Sequence, residues 1–438
     1  MDIFSYISSW NTVIILSIFN TFFIFFYVRF NKYNIISVSN FFLLSFWLCF
    51  FFGFILSYFY HFYVNDVALV EKIFYAQILI TLCLYIYLFV FFIIDYLLPK
   101  FRLKLFVIPN QRSFIKLLSV ILFLSSIFSI VFYVFKNDGF ILLKSTSYVD
   151  RYQSNMGLGF VTLLINMYIP ALVIYYLLKP SKSRLFFALF LSISIGILSY
   201  LAIGGYRQIL FMGVLSLLFY NLYHQGISFL RFISYSFIGV FVLFYLALLR
   251  YNIELDENML VLLIGFSIDS LSPFKSFINI FEYIDATKDY QNLKLFFGHF
   301  QIVIPRALWT DKPELILNSG NFYTQNILKY KSALTISPTI AGELYLMRGF
   351  FSLILGFAFL AIINVFLERV LTYYKDNSYI AILHNTFFFV CLFNVFWLVR
   401  EGLEVYIYRT LRMYILFWFF IIITYIVYVF LTYKKTTK

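Results

Sequence analysis

Ile73–Asp95 reads IFYAQILITLCLYIYLFVFFIID, twenty-two uncharged residues closed by a carboxylate. A helix needs about 20 apolar residues to cross the ~30 Å of hydrocarbon in a bilayer. Runs of the same kind recur near 11–28, 38–60, 117–135, 159–178, 186–203, 209–222, 232–250, 349–367, 381–398 and 410–432. With 73–95 they predict about eleven transmembrane helices, eleven or twelve in all. Unpaired backbone groups cannot stay in hydrocarbon, which excludes an open sheet, and the dyad alternation of a barrel strand is missing. The expected fold is an all-α polytopic membrane protein.

Composition agrees. The apolar fraction is 63% and the charged fraction 12%, against about 45–50% and 25% in soluble domains. The net charge of +13 does not point to nucleic acid, because Lys and Arg lie mainly in short loops between apolar runs. Cys49, Cys83 and Cys391 all sit inside apolar runs without CxxC or Cys/His spacing, so neither a disulfide framework nor a zinc site is indicated. The first run lacks a basic leader and a small-residue cleavage site, and reads as a retained helix.

Orientation follows from the loops. Arg29 and Lys32 follow the first run, Lys100, Arg102, Lys104, Arg112 and Lys116 the third, and Lys179, Lys182 and Arg184 the fifth, while Lys434, Lys435 and Lys438 close the chain. With alternating helices all these fall on one face, which the positive-inside rule makes cytoplasmic. The N-terminus is then outside and the C-terminus inside. Three parts are expected: N-terminal spans over 1–250, a large outer loop over 251–348, and C-terminal spans over 349–438. The loop's apolar stretches Met259–Ile264 and Phe277–Ile284 are too short to cross and read as helices lying on the bilayer surface.

Chemistry is expected in or beside this loop. Arginines stand on the outer face, against the usual charge bias: Arg207 in Gly204-Gly205-Tyr206-Arg207, Arg306, Arg348, and Arg400, Arg409 and Arg412 around Arg400-Glu401-Gly402-Leu403-Glu404. The guanidinium fork matches phosphate and stays ionised, so a lipid-linked diphosphate is a natural partner. Alternatively these arginines snorkel to headgroups or pair with Glu401 and Glu404; Arg412 reads best as a helix-end anchor. Glu343, just before a span, lies where a carboxylate can gain the proton affinity that proton transfer requires; a structural pairing with Arg348 is its bland alternative. Asp269, Asp311 and His299 are further candidates. Trp309, Tyr323 and Tyr345 could stack on sugar rings or simply pack. No HExxH, DxD-like pair, GxGxxG or P-loop occurs, so no metal, cofactor or nucleotide donor is expected.

Two stretches of the loop carry a resemblance. Pro305-Arg306-Ala307-Leu308-Trp309-Thr310-Asp311-Lys312-Pro313 and Ser337-Pro338-Thr339-Ile340-Ala341-Gly342-Glu343-Leu344-Tyr345 resemble motifs in the long external loop of Wzy-type O-antigen (oligosaccharide repeat-unit) polymerases. The Gly-Gly-Tyr-Arg turn is similar to that family's Gly-Ser-Arg type of turn, while Met347-Arg348-Gly349 departs from an Asn-Phe-Gly-like sequence. The layout is also compatible with a GT-C-like architecture. The resemblance implies an inner-membrane glycosyltransferase at the periplasmic face, with the growing glycan on undecaprenyl diphosphate as donor and a repeat unit on the same carrier as acceptor. A chain-length regulator and a flippase of the same pathway are implied as partners. On this reading Arg207, Arg306, Arg400 and Arg409 bind diphosphate, Glu343, Asp269 or His299 takes the acceptor proton, and Trp309 and Tyr345 meet glycan. An O-antigen ligase shares topology and donor chemistry and differs in its acceptor. A transporter would concentrate polar residues in mid-membrane, where this chain has few.

Overall fold

The computed structural model describes residues 3–30, 36–64, 70–99, 109, 111–144, 148–155, 157–224, 259–271, 274–304, 309–312, 318–330, 335–371, 374 and 378–436, with scattered residues between 231 and 248. Among them all regular structure is helical. Among the described residues, nine helices are long and apolar enough to cross a membrane: Asn11–Phe30, Val38–Ser57, Lys72–Leu97, Arg112–Lys144, Gly159–Leu177, Lys182–Ile203, Thr339–Val370, Tyr379–Glu401 and Leu403–Thr432. The run at 209–222 forms a shorter helix, Arg207–Tyr223, and that at 232–250 lies only partly within the described residues. Large apolar side chains stand exposed along the long helices, among them Phe22, Phe92, Phe128 and Phe135. Such surfaces are unfavourable in water and suited to lipid. The protein is a multi-pass membrane protein.

The chain forms two compact units. The first comprises Met1–Phe101, Leu255–Arg369 and Asn394–Arg409. Its helices Ile3–Phe30 and Val70–Leu97 are joined by buried polar contacts: Gln77 donates to Val13 O at 2.8 Å and to Ser17, and Asn20 donates to Thr81 at 3.2 Å. Where both neighbours and lipid are apolar, such hydrogen bonds set which faces meet. Phe42, Phe46, Phe50, Phe51 and Tyr87 are fully buried around the π-turn Trp47–Phe52.

Two charged contacts mark opposite ends of the Val70–Leu97 helix. Near its start Lys72 pairs with Glu282 of the Phe274–Thr287 helix. Near its end Arg369 pairs with Asp95, both about nine-tenths buried, while Glu368 accepts from Ser39 N at 2.9 Å. The polar segment carries its own small core of Ile280, Ile284, Leu295, Phe322, Tyr323 and Leu346, so much of it is packed structure rather than loose loop.

The second long motif is helical from Thr339, although it was expected in the loop ahead of a span starting at 349. The helix breaks at Arg348 (φ −158°) and Gly349 (φ +62°). Gln291 N and Asn292 N donate to the Leu346 and Met347 carbonyls at 3.0 and 2.8 Å, satisfying groups that a helix end leaves unpaired. The break is therefore a built corner, which separates a nine-residue pedestal, 339–347, from the span.

The second unit comprises Arg102–Glu254, Val370–Phe393 and Thr410–Lys438. Helices Lys182–Ile203 and Arg207–Tyr223 approach closely, with a Cβ at Gly196 meeting the Leu210 Cα at 3.0 Å, and Tyr168 of the Tyr168–Leu177 helix donates from Oη to Ile209 O at 2.6 Å. Gly204 (φ +85°) and Gly205 (φ +94°) form the turn between them, in left-handed backbone that side chains resist.

Candidate functional site

In the first unit, the Tyr379–Glu401 helix ends one residue before Leu403–Thr436 begins. The connecting residue is Gly402 with φ +106°, a conformation that glycine adopts without strain. The outer turn expected over 399–409 is thus a one-residue corner, and its charged residues sit on helix ends. Glu401 stands between two arginines: Arg400 Nη1 donates to Oε1 at 2.7 Å and Arg409 Nη2 to Oε2 at 3.1 Å. Both guanidinium groups lie over Trp397, at 5.3 Å for Arg400 and 4.5 Å for Arg409, an attraction that helps keep two cations together. Nη1 of Arg409 is buried with no hydrogen-bond partner among the described residues.

Two further carboxylates flank the corner. Glu404 accepts from Asn318 Nδ2 at 2.8 Å and from Ser319 Oγ at 3.4 Å, which ties the polar segment to the last helix. Glu343 is fully buried, and its Oε2 accepts from Leu403 N at 2.7 Å. One carboxylate against two guanidinium groups leaves the Arg400–Glu401–Arg409 group with a net positive charge. With a buried N–H donor in hand, such a group can take an anionic oxygen.

The other candidates are distributed as follows. Arg306 lies outside the described residues, and for Arg207, Asp269 and His299 only the backbone is described: Arg207 opens its helix, Asp269 lies in Met259–Leu271 and His299 in Lys294–Val303. Arg207 and Arg412 belong to the second unit, whereas Glu343, Arg400 and Arg409 belong to the first. Arg348 and Asp311 are exposed, and Trp309 is half-buried beside the backbone turn that Lys312 N closes onto its carbonyl at 3.2 Å. Tyr345 packs on Phe277 and Phe281. Tyr323 is buried, accepts from Asn279 at 3.1 Å, and is held above its ordinary phenol pKa by desolvation. Both tyrosine rings are taken up in packing. Among the described residues no three His, Cys, Asp or Glu side chains gather as a metal site would need.

Sequence reasoning missed Asn318, Ser319 and Arg151. The first two carry no signal of their own, being polar residues in a polar segment. Arg151 does: it lies in an outer segment by the same loop alternation that singled out the other arginines. In the second unit it is buried, its stem lies 3.1 Å from where a Cβ on Gly204 would stand, and Asn155 Nδ2 donates to Ile203 O at 3.1 Å. The Tyr148–Asn155 helix therefore braces the turn that leads to Arg207.

No solved structure matches the chain. The family described as WzyE protein, O-antigen assembly polymerase, matches residues 1–437, so the resemblance carried by two loop motifs extends to the whole layout. This multi-pass helical chain, with its arginine-bearing helix corner, belongs to the WzyE family of O-antigen assembly polymerases.

Proposed function

We propose that this polymerase joins repeat units at the periplasmic face of the bacterial inner membrane, using undecaprenyl-diphosphate-linked glycan as donor and needing neither metal nor nucleotide. A hydroxyl of the repeat unit attacks the anomeric carbon of the donor's reducing-end sugar. The new glycosidic bond forms as the bond to the diphosphate oxygen breaks, undecaprenyl diphosphate leaves with that electron pair, and the hydroxyl proton passes to a base. Arg400 and Arg409 hold the diphosphate, with Arg306 as a further phosphate ligand. Asp269 or His299 accepts the proton, and Trp309 stacks on the glycan.

The observation that carries this reading is the group at the Gly402 corner. Two arginines are fixed by Glu401 and Trp397, and a donor of Arg409 has no protein acceptor among the described residues. Preoriented donors stabilise charge as it develops on a leaving group, without reorganising during the reaction. Two lipid-tethered substrates held side by side gain further from proximity.

The helix ends support the orientation. Lys72, which pairs with the polar segment, and Asp95, which pairs with Arg369, are 23 residues apart on one helix, or about 35 Å at the helical rise. The Asp95 end is followed in sequence by Lys100, Arg102 and Lys104, the basic pattern of a cytoplasmic loop.

Two measurements test the proposal. Purified protein given a lipid-diphosphate repeat unit in EDTA is expected to produce a glycan ladder and release undecaprenyl diphosphate; a requirement for added metal or nucleotide sugar refutes the chemistry. A reporter fused after residue 290 is expected to read as periplasmic, and a cytoplasmic signal overturns the topology.

A further inference from the structure

We infer that Glu343 is a positioning residue: its carboxylate sets the Gly402 corner, and through it the Arg400–Glu401–Arg409 group, in the geometry that receives the diphosphate. This rests on the diphosphate reading above. The sequence suggested Glu343 as a base, but its side chain has no exposed surface, and a substrate hydroxyl needs direct access or a water to lose its proton to it.

What the carboxylate does touch is backbone. Oε2 accepts from Leu403 N, the first residue of the last helix, where unpaired N–H groups and the helix dipole both favour an anion. Gly402 N donates to Leu398 O at 3.1 Å and closes the preceding helix. A Cβ on Gly402 would strike Glu343 Oε2. Glycine is thus required here twice, by its backbone conformation and by the carboxylate lying against it.

The pedestal that carries Glu343 is itself fixed. Gln291 and Asn292 hold its last carbonyls, and a Cβ on Gly342 would stand only 2.6 Å from Ile280 of the Phe274–Thr287 helix. On the far side of the corner Glu404 is held by Asn318 and Ser319. The polar segment therefore grips the corner at Leu403 and Glu404, and the arginines project from the helices that meet there. A shift of the corner would move both guanidinium groups together.

Glutamine separates the two roles, because its carbonyl can still accept from Leu403 N–H while it cannot act as a base. In ladder assays with purified full-length protein and a lipid-diphosphate repeat unit, Glu343→Gln is expected to keep kcat/KM within about threefold of wild type and to leave the pH profile unchanged. Glu343→Ala and Gly402→Ala are expected to lower it about tenfold or more. If Glu343→Gln falls to the level of Glu343→Ala at an unchanged unfolding temperature, the positioning role is overturned. Wild-type rates from Glu343→Ala overturn it equally. Normal ladders from Arg400→Ala and Arg409→Ala instead sink the diphosphate reading, whatever Glu343→Gln does.

Discussion

Arg409→Ala is expected to slow chain extension by about a hundredfold, the usual consequence of removing one preorganised donor from developing negative charge. Arg409 donates once to Glu401, stacks on Trp397, and keeps Nη1 buried without an acceptor among the described residues. Alanine removes that donor and returns Glu401 to a one-to-one pair with Arg400, so the local net positive charge disappears. Arg409→Lys retains the charge but loses the planar fork, and an intermediate rate is expected. Ladder formation per folded enzyme is the measurement, with the unfolding temperature as control. Because Arg400 still neutralises Glu401, stability should change far less than rate. A wild-type ladder from Arg409→Ala removes this arginine from the site, and unfolding in proportion to the lost rate makes its role structural.

The largest stability effect is expected at the opposite end of the first unit. Arg369→Ala should destabilise the protein by about 3–5 kcal/mol, the range for a buried ion pair that loses one partner. Asp95 and Arg369 are both about nine-tenths buried, and Arg369 Nη2 also donates to the Asp95 carbonyl at 3.3 Å. Alanine would leave the Asp95 carboxylate buried without that cation, while Glu368, next to position 369 in its own helix, is buried as well. The double variant Asp95→Leu with Arg369→Met removes both charges and is expected to recover most of the loss, since well-packed apolar replacements often match a buried pair. Denaturant unfolding in detergent of the two single variants and the double one gives the coupling directly. Additive losses would show that the pair contributes nothing as a pair.

Most of the helices were legible because the bilayer acts on each segment separately. Ile73–Asp95 declares itself by length and lack of charge, whatever it packs against. The arginines at 400 and 409 were also visible, as charges in a turn that loop alternation assigns to the outer side, where they are not expected. Their pairing was not. Both Glu401 and Glu404 were open as partners, and the structure gives Glu401 to both arginines and Glu404 to Asn318 and Ser319. The motif around Glu343 was expected in a loop because its polar residues interrupt an apolar run. It is helical because Gln291, Asn292 and Ser352 satisfy the corner that follows it.

The sequence by itself determined that this chain crosses a membrane many times, that its polar mass gathers in one segment, and that it carries the motifs of a polymerase family. Each of these is a local property, imposed by hydrocarbon thickness or held in a few adjacent residues. Only the tertiary structure decided that Glu343 meets the amide of Leu403, 60 residues away, that Gly402 leaves room for it, and that one glutamate is shared by two arginines. Such contacts depend on where helices cross and how their ends are capped, and residue order does not specify distances between helices.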